Sequence, residues 1–132
     1  MAKREGFSTI TPYMIFEDAN AALAYYQKAF GAAEITCHRD GDGLIRHAEL
    51  RIADSPIMLC NMVPDFPEMK APSKYGGSPM QLFVYCDDAD AWFQRAVNCG
   101  AKIVMPMDDK DYGRTGGIED PFGYTWWITT HK

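Results

Sequence analysis

Apolar and polar positions alternate along this chain in two patterns, and the same succession of patterns occurs twice. Residues 10–16 and 80–86 are apolar stretches rich in β-forming side chains. Each runs into a matching sextet, Phe16-Glu-Asp-Ala-Asn-Ala21 in the first half and Cys86-Asp-Asp-Ala-Asp-Ala91 in the second. Apolar side chains then recur with helical spacing. In the first copy Leu23, Tyr26 and Phe30 fall at i, i+3 and i+7; in the second, Phe93, Ala96 and Val97 make the inner stripe. Asp18 and Asp88 precede the two runs as N-caps, because a short carboxylate can accept the unpaired N–H groups of the first turn. Gly31 and Gly100 stop them, since glycine adopts the left-handed backbone that ends a helix.

Both helical segments lead into further strands, 33–39 in the first half and 102–107 in the second. Asp40-Gly-Asp-Gly43 is a turn signal, followed by strands over 44–52 and 57–62 with the Asp54-Ser-Pro56 break between them. In the second half a glycine-rich strand over 112–119, the turn Asp120-Pro-Phe-Gly123 and a β-rich ending over 124–130 complete the same order. Each half therefore reads βαβββ. Residues 63–79 carry four prolines and a Gly-Gly pair, which predicts a linker and no third element. The expected organisation is one domain over 1–132, with module one at about 8–62, linker 63–79 and module two at 80–132. Two copies of this size need a partner face to bury. The fold class expected is α+β, two tandem βαβββ modules forming a cupped, partly open mixed β-barrel with the helices outside.

Composition narrows the function. The net charge is −5 with no Lys/Arg cluster, so the positive footprint that nucleic acid requires is missing. No apolar run approaches the roughly 20 residues needed to cross a bilayer, and the first residues lack the apolar segment of a secretion signal. These features predict a cytoplasmic protein with neither nucleic acid nor membrane as partner. The cysteines, at 37, 60, 86 and 99, lie too far apart for a CxxC clip and read as buried free thiols.

The duplicated βαβββ pattern, the Asp-capped helix ending in Phe30-Gly-Ala and the Glu119-Asp-Pro-Phe-Gly123 turn resemble the vicinal oxygen chelate superfamily, the glyoxalase and bleomycin-resistance type. Segments 10–18, 48–52 and 116–123 look particularly like its largely uncharacterised glyoxalase-like branch. That superfamily holds metal-dependent isomerases, epimerases and ring-cleaving dioxygenases, and also metal-free proteins that sequester antibiotics. The resemblance implies four metal positions on the first and last strands of each repeat, usually His, Glu or Gln. Spacing from the caps and the turn registers them here as Thr11, Met58, Gln81 and Trp127. Only Gln81 offers a suitable oxygen, and tryptophan has no lone pair to donate. The expectation is that no metal and no other cofactor is bound. The resemblance also implies a homodimer.

Strand alternation assigns the remaining side chains to faces. With Thr11 go Tyr13 and Ile15; with Gln81 go Phe83 and Tyr85; with Met58 goes Cys60; with Trp127 go Thr125 and Thr129. Such a lining suits a flat or bulky organic ligand, although the same side chains can also simply fill a small barrel. On 47–52 the apolar Ala48, Leu50 and Ile52 share one face, leaving His47, Glu49 and Arg51 on the other, with His38 as a possible neighbour. His47 beside Glu49 has the makings of a general base, and Arg51 or Arg114 of an anion clamp; the same row is equally a solvated ladder. The leading reading is a small-molecule binding protein, aromatic or drug-like in its choice of ligand, without the family metal. The alternative is an isomerase, lyase or dioxygenase acting on a small carbonyl or phenolic compound, through a divalent metal or through His47 and Glu49.

Overall fold

The computed structural model describes residues 2–132 and forms two compact units, which divide between Ala71 and Pro72. The first unit contains β1 (Tyr13–Phe16), α1 (Ala19–Phe30), β2 (Ala33–Arg39), β3 (Ile45–Ile52) and β4 (Ser55–Asn61). The second contains a single 3-10 turn (Pro72–Lys74), β5 (Leu82–Tyr85), α2 (Ala89–Asn98), β6 (Lys102–Lys110), β7 (Gly113–Glu119) and β8 (Thr125–His131). The strands make two four-stranded sheets, ordered β1-β4-β3-β2 and β5-β8-β7-β6, which do not close into a barrel. In each, the first strand pairs parallel to the last and the other pairs are antiparallel. The tandem βαβββ pattern is thus present in both halves.

The helices form where capping and periodicity place them. Asp18 and Asp88 accept from the backbone N–H groups of Ala21 and Ala91, at 3.0 and 3.1 Å. Gly31 closes α1 in left-handed geometry at φ 66°. The second helix ends differently from the expectation: Cys99, in ordinary right-handed geometry, is its C-cap, and Gly100 takes the positive φ only afterwards. Val97 is half-buried, so Ala89, Phe93 and Ala96 make the inner face of α2.

One face of each sheet lies under its helix. In the first unit Phe16, Tyr26, Leu50 and Leu59 are fully buried, with Tyr26 stacked on Phe30 at 5.9 Å and meeting Phe16 edge-on. Burying each such side chain stabilises by about 1.5–3 kcal/mol. In the second unit Trp126, Ile118 and Ile128 hold the corresponding layer. Gly116 leaves room there for Phe93 of α2, because a Cβ at that position would stand 2.9 Å from the Phe93 ring.

Boundaries differ where loops compete with strands. The first strand of each sheet is only four residues long, since Thr11, Pro12 and Gln81 lie outside the regular ladder. The break before β4 is a two-residue turn at 53–54, and Pro56 sits inside the strand opposite Arg51. Of the cysteines only Cys60 is buried; Cys37 lies on the edge strand β2, and Cys86 and Cys99 at element ends, so all three are half-buried.

The Asp40 and Asp120 turns share one hydrogen-bond pattern. Asp40 N–H donates to Leu44 O and Gly43 N–H returns to Asp40 O; Asp120, Tyr124 and Gly123 do the same. Asp120 goes further. Its Oδ1 accepts from the N–H groups of Phe122 and Tyr124, and its Oδ2 from the buried indole of Trp126 at 2.9 Å. Removing this buried acceptor strands three donors. Asp120→Ala should therefore lower stability by about 2–4 kcal/mol, a fall in melting temperature of roughly 5–15 °C by calorimetry.

Candidate functional site

The ladders register the two far faces, those turned away from the helices. Tyr13 pairs with Met58 and Phe83 with Trp127, so these pairs occupy equivalent places in the two sheets. Glu49 lies across from Met58, and Gly117 across from Trp127. Side chains opposite one another on a ladder share a face.

In the first unit this face carries a row of polar contacts. The Tyr13 hydroxyl meets His47 Nδ1 at 3.2 Å, and His47 Nε2 meets Glu49 Oε2 at 2.9 Å. Arg4 Nη1 donates to the same Glu49 oxygen at 2.7 Å. Because a carboxylate only accepts, the His47 proton facing it sits on Nε2, and a neutral ring then accepts from Tyr13 through Nδ1. Burial alone would raise the Glu49 pKa, but the hydrogen bonds from His47 and Arg4 outweigh it and hold the carboxyl below its usual range. Burial, with Cys60 adding to it, pushes the Tyr13 phenol up to about 12, so it stays a donor. Burial also raises the Cys60 thiol, which opposes a nucleophilic role.

Glu49 is 1% exposed, and its second oxygen, Oε1, is buried without a hydrogen-bond partner among the described residues. Arg51 lies further along the same strand and reaches the Gly6 carbonyl at 3.3 Å. His38 stands opposite His47 on β2, where a bulge breaks the register, and contacts Thr36 at 3.1 Å. Met58 and Cys60 share this face. Thr11 lies before β1, reaching only the Ser8 carbonyl at 3.4 Å.

The far face of the second unit is aromatic. Phe83 and Tyr85 are exposed by 49% and 64% and pack against each other at 5.1 Å. Half-buried Trp127 lies against Gly117: a Cβ there would stand 2.5 Å from the ring carbon Cζ3. The indole N–H donates to Gln81 Oε1 at 2.8 Å, fixing the ring's rotation. Further along the same face, Thr115 and Thr129 are fully buried and joined at 2.7 Å. An open depression of about 380 Å³ at the end of β5 and β8 is lined by Tyr85, Cys86, Asp87, Thr130 and His131.

Arg114 departs from its expected place. It lies on the helix side of β7, where Asp90 of α2 and Asp109 take its guanidinium, and so does not share the face of Trp127. Conversely, Arg4 reaches the polar row from an irregular segment with no periodicity, and no sequence signal points to it. Gly117 was legible only once its partner strand was known.

A family model for the Glyoxalase/Bleomycin resistance protein/Dioxygenase superfamily matches residues 9–128. The chain belongs to that superfamily. An uncharacterized protein of Mycobacterium tuberculosis (strain H37Rv) is 38% identical over 120 residues, 89% of this chain and 71% of the relative. An uncharacterized protein of Arabidopsis thaliana is 31% identical over 121 residues, covering 84% and 70%. Among solved structures, TioX from Micromonospora sp. ML1 is 26% identical with a TM-score of 0.73, covering 95% of this chain and 99% of its own. The fosfomycin resistance protein FosX from Listeria monocytogenes is 15% identical with a TM-score of 0.71, covering 95% and 94%, a likeness of fold alone.

The family's metal positions, carried over by resemblance, hold a hydroxyl, a thioether, an amide and an indole, and the amide oxygen of Gln81 already accepts the indole proton. This donor set does not fit a divalent cation. Among the described residues no three His, Cys, Asp or Glu side chains gather.

Glu49 has a pH signature. Its folded-state pKa is lowered, so its contribution to stability is present above the ordinary value of 4.5 and is lost as pH falls through the lower folded value. The melting-temperature gap between wild type and Glu49→Gln should be widest near neutral pH and should close as the pH drops below about 4.5.

Proposed function

We propose that this superfamily member binds a small, flat aromatic molecule on the far face of the second unit without using a metal. The observation that carries the reading is the Trp127 indole, laid on Gly117, held by Gln81 and flanked on its strand pair by exposed Phe83. Exposed aromatic side chains set at fixed angles form a stacking surface whose ordering is complete before a ligand arrives. Tyr85 continues that surface to the depression beside His131, with the two rings 6.0 Å apart. The poor donor set at the family's metal positions supports the metal-free part of the proposal.

A second reading rests on the first unit. The Tyr13–His47–Glu49 row has the connectivity of a proton relay, with an exposed phenol at one end and an ionised carboxylate at the other. On that reading the protein is an isomerase or lyase for a small carbonyl or phenolic compound, and His47→Ala abolishes turnover.

Calorimetric titration with a panel of planar aromatic antibiotics and small phenols tests the first reading, alongside elemental analysis of protein purified without chelator. Trp127→Ala should weaken binding by about tenfold, the loss of one stacked ring. Gly117→Ala should displace the indole and weaken binding similarly, because its added methyl occupies the space of the ring edge. Unchanged affinity in both variants, or stoichiometric first-row metal in the native protein, would refute the reading.

A further inference from the structure

The buried carboxylate in the first unit points to a site of its own, independent of the aromatic surface around Trp127. Arg4 Nη1 and His47 Nε2 converge on Glu49 Oε2, while Oε1 is buried with no donor among the described residues. An ionised buried carboxylate with one idle oxygen is costly, and such groups ordinarily find partners for both oxygens.

The cation that answers Glu49 comes from outside the regular structure. Arg4 lies in a segment with no helix or strand, and its side chain is 55% exposed while that of Glu49 is 2% exposed. Residues 3–7 make a small turn in which Phe7 N–H donates to Arg4 O and Lys3 Nζ donates to Phe7 O. This turn is pinned to β3 at two points, Arg4 on Glu49 and the Gly6 carbonyl on Arg51. Within it the Arg4 guanidinium lies 4.3 Å over the Phe7 ring. The group seated on Glu49 is therefore a planar cation backed by the buried Phe7 ring, carried on irregular backbone.

A ligand that took Arg4's place would have to bring its own charge, because a buried carboxylate stripped of its cation is strongly disfavoured. It would gain by offering two parallel N–H donors, one to each carboxylate oxygen, which the singly bonded Arg4 does not do. An aromatic body would replace the contact with Phe7 and meet the exposed Tyr13 ring, which lies 5.7 Å from His47. We propose that Glu49 is a binding site for small aromatic cations bearing paired N–H donors, such as aryl amidines and guanidines, which enter in place of Arg4 as its half-exposed side chain swings out to solvent.

Benzamidine is the probe, and benzamide, its neutral counterpart of the same shape, is the control. Both are titrated into the full-length, isotope-labelled protein, following affinity by calorimetry and the His47 ring nitrogens by NMR. Benzamidine should shift the His47 resonances, and benzamide should not. Arg4→Ala should bind benzamidine about tenfold more tightly, because an internal competitor for Glu49 has been removed. Glu49→Gln should lose the binding. The contrast between benzamidine and benzamide is read in the unaltered protein, so the outcome stays decidable even if Glu49→Gln, or Arg4→Ala with its unpaired buried carboxylate, fails to fold. Equal binding of benzamide, no gain in Arg4→Ala, or His47 resonances that do not move would each overturn the proposal. Trp127 reports the other surface, so failure there and failure here are read separately.

Discussion

Each four-stranded sheet in this protein has two faces and a single helix to cover them. That constraint organises the rest. Period-two alternation sends every second side chain of a strand to the helix, and those positions are apolar in both units: Phe16, Leu50 and Leu59 in one, Ile118, Trp126 and Ile128 in the other. The core layer beneath the helix supplies the stability, which leaves the intervening positions free to carry side chains that a packed core would reject. A carboxylate buried to 1% exposure and four exposed or half-exposed aromatic rings, Tyr13, Phe83, Tyr85 and Trp127, are found on those intervening positions.

The two far faces follow the same register and differ at matched points. Where one sheet has Glu49 opposite Met58, the other has Gly117 opposite Trp127. The glycine and the indole belong together, since the ring occupies the volume that a Cβ would fill. The glutamate and the methionine coexist because Glu49 finds its partners along its own strand, in His47, and from the segment before β1, in Arg4. Tyr13 and Phe83 are the third matched pair, and the single hydroxyl that separates them decides whether the site donates a hydrogen bond to His47 or offers only a ring face. One repeated frame thus carries an ionised face in one unit and an aromatic face in the other, while the layer under each helix stays apolar.

Local rules alone determined a good deal. The repeat of the Asp-capped sextet, the glycine stops and the turn signals placed eight strands and two helices in order, because caps, turns and hydrophobic periods act within a few residues of sequence. Alternation also put His47, Glu49 and Arg51 on one face, and the family resemblance put Tyr13 with Met58. Helix and strand ends were less legible: Cys99 and not Gly100 caps α2, and Pro56 lies within β4, since both depend on hydrogen bonds to partners elsewhere. What tertiary structure alone decided is which of these side chains meet. Arg4 reaches Glu49 across 45 positions, Gln81 holds the Trp127 indole across 46, and Asp90 draws Arg114 to the helix side. Contacts of that kind follow from how strands pair and where the chain returns, and no local pattern of side chains encodes them.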